Sequence, residues 1–283
     1  MLRRIKKLLN EPAFQEAPVT VLGRVASLAG LVALGRKPEF ELVPGARMQV
    51  PANLHYTTVS TFLLRDQVEP ELKFLNKFVQ KGDVFVDVGA NVGLFTLKTA
   101  PHAARVVAVE PGQEAGDLLV ANVALNGFRN VDLVRKGLAD APGKASLFHN
   151  PVGDDPQAFS LVNGGDASEA EEVEITTLDL LVAELGLPRV DCIKIDVEGA
   201  EGRVLSGGLN TITAYRPLII YEMNCPALIS SGGNPAEPWD LLTGLGYQSF
   251  SLKDDGSLAP LSQRPTSFCN IIAIHPQGKG ATR

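Results

Sequence analysis

From Gly82 to about residue 274, short apolar runs alternate with helix-length segments, and this constrains the fold more than any other feature of the chain. Residues 83–88 (DVFVDV), 105–110 (RVVAVE) and 131–135 are predicted strands, separated by helices over 91–100, stopped by Pro101, and 112–125, ended by Asn126-Gly127. Further on, 176–185 and 198–206 are predicted helices around a strand at 190–197 (VDCIKIDV). A strand at 217–223 (PLIIYEM), a helix at 239–245, and a closing antiparallel pair at 247–252 and 268–274 complete the series. Strands and helices taking turns in this way build a mainly parallel sheet covered by helices on both faces. Residues 137–172 break the rhythm with Pro142-Gly143, Pro151, Asp155-Pro156 and Asn163-Gly164-Gly165, and are expected to be an irregular segment near the binding face. Residues 1–81 precede the alternation and are predicted to form a helical and hairpin-like cap.

Hydrophobic residues make up 45% of the 283 and charged residues 20%, enough apolar material for a substantial core. The net charge of -6 gives no electrostatic reason to expect a nucleic-acid partner and leaves a small neutral or cationic substrate open. Three cysteines without a C-x-x-C spacing point to buried thiols in a reducing, cytoplasmic setting, with neither a disulfide framework nor a zinc site. Residues 1–10 (MLRRIKKLLN) are basic and amphipathic, and 19–34 form a second apolar stretch carrying Arg24. That stretch is shorter than the roughly 20 apolar residues of a membrane-spanning helix, and Glu11, Pro12 and Glu16 interrupt a signal-peptide pattern. A helical arm packed on the domain is expected, the alternative being peripheral attachment of residues 1–10 to an anionic membrane face.

Three groups of residues carry chemistry. In Asp87-Val88-Gly89-Ala90-Asn91-Val92-Gly93 a strand runs into a helix through small residues, which lets backbone approach a ligand at the strand's carboxyl end. A dinucleotide fingerprint would place glycine where Asn91 stands, so the spacing weakens a nicotinamide reading. Glu110, 21 residues beyond Gly89 at the end of the next strand, is placed to accept hydrogen bonds from ribose hydroxyls, and together the two imply a ribose-bearing cofactor. In Lys194-Ile195-Asp196-Val197-Glu198-Gly199, period two would put Lys194, Asp196 and Glu198 on one side, facing the same crevice. A structural reading, in which Lys194 neutralises Asp196 and Glu198 serves the next helix, competes with a catalytic one. Glu222 adds an acid to the rim, and His149 lies beside the irregular segment where a base would be useful. Asp196, Glu198 and Glu222 offer oxygen ligands to Mg²⁺, although no ligand spacing demands a metal.

The stretches 68–71 (VEPE), 85–97 (FVDVGANVGLFTL), 106–111 (VVAVEP), 121–127 (ANVALNG), 176–181 (TTLDLL), 193–208 (IKIDVEGAEGRVLSGG) and 216–222 (RPLIIYE) resemble, in order and spacing, the FkbM family of S-adenosylmethionine-dependent methyltransferases. The resemblance covers roughly residues 65–275, which divides the chain into an arm at 1–65 and a methyltransferase domain at 66–283. It implies a class I, Rossmann-like fold of seven mostly parallel strands with one antiparallel strand near the end. It also implies methyl transfer to an oxygen of a sugar, polyketide or similar small metabolite. Carried onto these residues, Gly89, Ala90, Asn91 and Gly93 would flank the methionine part of the cofactor, with Asp87 at the head of the loop. Glu110, followed by Pro111, would hold the ribose; Gly137 and Leu138 would lie near the adenine; Asp196 would close the site near the reacting centre. Asp196 or Glu198, with His149 as an outside candidate, would take the acceptor's proton. A nicotinamide-dependent oxidoreductase and a non-catalytic S-adenosylmethionine-binding protein are the competing classes, and the former lacks a Tyr-x-x-x-Lys dyad.

Overall fold

A computed structural model describes residues 9, 11–54, 56–150, 158–160, 170–230 and 233–282. Two helices, Pro12–Glu16 and Pro18–Ala33, lead into an antiparallel hairpin of β1 (Glu39–Val43) and β2 (Ala46–Gln49), then a helix at Tyr56–Leu64. The hairpin is tied to the main domain by Asn122 and Asn126, whose side-chain oxygens accept from Gln49 N (3.1 Å) and Arg47 N (2.6 Å). Its inward residues Phe40, Leu42 and Met48 join a core layer with Phe85, Phe95 and Val106.

The main sheet contains β3 (Val84–Val88), β4 (Arg105–Val109), β5 (Val131–Val134), β10 (Cys192–Ile195), β11 (Leu218–Met223), β12 (Gln248–Leu252), β13 (Leu258–Pro260) and β14 (Cys269–Ile274). Their spatial order is β13-β12-β14-β11-β10-β3-β4-β5. The five strands from β5 to β11 are parallel; β14 is antiparallel to β11, β12 to β14 and β13 to β12. This is the class I methyltransferase architecture, with the short edge strand β13 making eight strands rather than seven. Period two divides the core as a pleated sheet must. Val84, Val86, Val88, Ile193, Ile195, Ile219 and Tyr221 pack into one layer, while Phe85, Cys192, Leu218 and Ile220 pack into the other.

Three expectations are corrected. The helix expected at 91–100 spans only Leu94–Thr99, because Gly89, Asn91 and Gly93 all take positive φ and hold 89–93 as a loop. The strand expected at 190–197 stops at Ile195, so Asp196 and Glu198 sit in a turn and are not aligned with Lys194 by pleating. The described part of 137–172 is mostly sheet, broken at 139–142. β6 (Gly137–Leu138), β7 (Gly143–Asn150), β8 (Ala158–Ser160) and β9 (Ala170–Thr176) form a second sheet in the order β6-β9-β7-β8. Ala145, Leu147, Val173 and Ile175 form its small apolar layer with Ala139.

Candidate functional site

The parallel register lines the strand ends up in one row. Ile195 pairs with Val88, Val88 with Val109, and Ile195 with Tyr221. The next residue on each strand therefore falls on a common rim, giving Glu110, Gly89, Asp196 and Glu222 in order across β4, β3, β10 and β11. β14 continues the row, since Asn270 pairs with Glu222. From β3 the chain winds outward to β4 and β5 and then returns to β10 on the other side, and such a reversal opens a crevice at the carboxyl ends. A cavity of ≈ 480 Å³ occupies it, within the range of small-molecule sites.

At the β3–β4 end the loop is held by backbone. Gly89 N and Ala90 N both donate to Val109 O at 3.0 Å. Gly89 has φ +78, and a Cβ there would stand 1.8 Å from Asp196 O, so neither the backbone conformation nor the space admits a side chain. Asn91, at φ 50, donates its N–H to Glu110 Oε2 at 2.8 Å, and Gly112 N donates to Oε1 at 2.8 Å. Glu110 is thus a nearly buried carboxylate fixed by two N–H groups, with lone pairs left for a diol. Burial pushes its pKa up to about 7 against the lowering effect of those hydrogen bonds. Asn91 Oδ1 is buried without a partner, so a ligand donor would satisfy it. These features fit the ribose and backbone-cradled part of an adenosine cofactor.

The β10–β11 end is acidic. Lys194 Nζ pairs with Asp196 Oδ2 at 3.0 Å and lies 5.2 Å from the centre of the Phe95 ring. Lys194 itself is buried to 1% exposure, and its neighbouring acids Asp196, Glu69 and Glu222 keep it charged against the opposing cost of burial. Glu69 is pushed up to about 7 and Glu222 well above its ordinary range, both chiefly by desolvation. Glu71 is raised for the same reason and accepts from Asn270 Nδ2 at 2.9 Å. The turn after Asp196 is tied down by Glu201, fully buried, whose Oε1 accepts from Val197 N (3.3 Å) and Gly199 N (3.1 Å). That support matters because Glu198 has φ 52 and Gly199 φ 105.

Of the residues singled out in the sequence, Gly89, Ala90, Asn91, Glu110, Pro111, Gly137, Leu138, Asp196 and Glu198 line the cavity together, as does Glu222. Asp87 and Gly93 do not. Asp87 lies behind the loop accepting from Thr96 Oγ1 at 2.6 Å, and Gly93 precedes the helix Leu94–Thr99 against Leu119. The His149 backbone lies on β7, and its side chain falls outside the described residues. Among the described residues no group of three or more His, Cys, Asp or Glu is arranged to hold a metal ion. Sequence reasoning missed Glu69, Glu71, Phe268 and Asn270, which also line the cavity. The Glu-Pro-Glu run at 69–71 was the available signal for the first two.

These carboxyls make a prediction about the ligand-free protein. Glu69 and Glu110 are held at about 7 and Asp87 at about 6, above the 4.5 and 3.8 of free carboxyls. Between those limits the folded chain binds more protons than the unfolded one, so stability falls as pH rises from about 4.5 to about 7. Thermal denaturation across this range should show the decline, and Glu110→Gln should flatten it. An unchanged slope in that variant contradicts the assignment.

A family model described as the Methyltransferase FkbM domain matches residues 87–249. The AMB antimetabolite synthetase AmbE of Pseudomonas aeruginosa is 29% identical over 229 residues, which cover 68% of this chain and 10% of that protein. Methyltransferase sdnD of Sordaria araneosa is 31% identical over 154 residues, 43% of this chain and 59% of that one. Hexuronic acid methyltransferase AglP of Haloferax volcanii is 28% identical over 152 residues, 53% of this chain and 59% of that one. The chain thus spans a tenth of the first relative's length and 59% of each of the other two.

Proposed function

Since the chain belongs to the FkbM methyltransferase family, we propose that its rim cavity binds S-adenosylmethionine and methylates a hydroxyl of a small acceptor, of the sugar or polyketide kind. The observation that carries the reading is the single row of Glu110, Gly89, Asp196 and Glu222 along one cavity, which joins a ribose-type site to a cluster of acids. The relative from Haloferax volcanii, a hexuronic acid methyltransferase, supports a sugar-like acceptor. Residues 66–283 form the methyltransferase unit in this reading, with 1–65 as an arm upon it.

When bound, the cofactor supplies a methyl group on a sulfonium, open to in-line displacement by an oxygen. Glu110 binds the ribose hydroxyls through the lone pairs that Asn91 N and Gly112 N leave free. Gly89, Ala90 and Asn91 would present backbone to the methionine part, and Gly137, Leu138 and Leu147 of β7 would line the adenine end. The carboxylates of the β10–β11 end offset the sulfonium charge. Asp196, with one oxygen on Lys194 and a side chain 32% exposed, accepts the proton of the acceptor hydroxyl. Glu198 stands next to it on the same wall. Glu201 acts indirectly, by fixing the turn that presents both.

The direct test is incubation of the full chain with methyl-labelled S-adenosylmethionine and a panel of hydroxyl-bearing glycosides and polyketides. Label should enter an acceptor in amounts equal to the S-adenosylhomocysteine formed. Tight cofactor binding with no transfer across the panel contradicts catalysis of this kind.

A further inference from the structure

The helix Pro18–Ala33 is apolar almost throughout, yet little of it is covered. Its sequence, PVTVLGRVASLAGLVA, holds one charged residue, and that one is turned inward, Arg24 Nη1 donating to Leu63 O at 2.7 Å. Val21 is buried against Ala13 and Leu64, and Leu28 leans on the main core. The residues a turn away from these point out: Val19 is 82% exposed, Leu22 55%, Val25 38% and Val32 40%, followed by Leu34 at 72%. Leu22, Val25, Ala29 and Val32 recur at three- and four-residue steps, so they form one continuous strip along the helix. A contiguous exposed strip of this kind on a folded domain marks something that covers it.

The charge around the helix says what. Residues 1–38 carry seven lysines and arginines against two glutamates, a local excess in a chain whose net charge is -6. Arg3, Arg4, Lys6 and Lys7 precede the helix, Arg36 and Lys37 follow it, and no acidic residue lies between Glu16 and Glu39. A second copy of this chain would set these cations against like charges. An anionic lipid surface matches both features, taking the apolar strip into its interface and the cations at its headgroups. Among the described residues no helix is long and apolar enough to cross a membrane, so the fit is to a helix lying in the surface.

We propose that the helix Pro18–Ala33, with its flanking cations, docks the protein onto an anionic bilayer face. Apolar insertion and a basic flank are the two signals that stable reversible attachment needs. The strip lies outside the cavity lining, so docking and cofactor binding are separable by substitution.

The full chain is mixed with vesicles of phosphatidylcholine alone and of phosphatidylcholine with phosphatidylglycerol, and the bound fraction is read by co-sedimentation. Binding to the anionic vesicles should exceed that to the neutral ones by about tenfold or more and weaken with salt. Replacing Leu22, Val25 and Val32 together by serine should abolish it, with S-adenosylmethionine affinity by calorimetry unchanged as proof of folding. Arg36→Glu with Lys37→Glu, which leaves the apolar strip intact, should weaken it by several-fold. No preference for anionic vesicles overturns the proposal. So does a wild-type dimer, seen by light scattering, that the serine variant converts to monomer.

Discussion

An Asp196→Asn protein is expected to lose about 10²- to 10⁴-fold in single-turnover methyl transfer while binding S-adenosylmethionine within about threefold of the wild type. Asparagine keeps the size of the side chain and leaves the backbone N–H, which donates to Val88 O at 2.9 Å, in place. What it removes is the ability to take a proton. Lys194 loses one ionic partner but keeps Glu69 and Glu222 beside it. Losing the Asp196 charge removes one of the influences that raise those two carboxyls, favouring their ionised forms next to the ammonium. Affinity and turnover therefore separate only if Asp196 acts on the acceptor. A variant with full turnover removes Asp196 as the base and passes the role to Glu198 or to a group outside the described residues. A variant that loses affinity and turnover together makes Asp196 a cofactor ligand instead.

Gly89→Ala is expected to do more damage to the fold and to abolish cofactor binding. The new methyl group would meet Asp196 O at 1.8 Å, a backbone atom that cannot swing aside, at a φ of +78 that alanine disfavours. Left-handed strain and overpacking each cost about 1–3 kcal/mol, so a loss of about 4 kcal/mol in urea unfolding is expected. Relief of the clash moves β3 and β10 apart at the rim, and cofactor affinity should fall by more than about 100-fold. Near-normal binding by this variant would mean that the close approach of Gly89 to Asp196 is not part of the site.

The sheet strands and the rim residues could be read from the sequence because each depended on local pattern. Runs such as FVDV and RVVAV are short, apolar and bounded by glycine, proline or charge, and parallel register then places Glu110, Gly89, Asp196 and Glu222 side by side without further information. Other parts depended on contacts distant in sequence. Asn270 reaches the site only because β14 folds back antiparallel on β11, and Glu71 only because it meets Asn270 across 199 residues. The second sheet was hidden for a different reason. Pro142-Gly143 is a turn signal, but Ala145 and Leu147 on β7 and Val173 and Ile175 on β9 carry the period-two pattern of two paired strands, with Ala145 opposite Val173. The helix after β3 was placed too early because two positive-φ residues, Asn91 and Gly93, were read as helical.

The measurement that bears most directly on the central claim is calorimetric titration of the full chain with S-adenosylmethionine, S-adenosylhomocysteine and NAD⁺, repeated on Glu110→Gln. The two adenosyl ligands should bind with one-to-one stoichiometry and NAD⁺ should not, and the variant should weaken both adenosyl ligands by about tenfold through loss of the ribose contact. Binding of NAD⁺ in preference to S-adenosylmethionine, or adenosyl affinity indifferent to Glu110, would contradict the account.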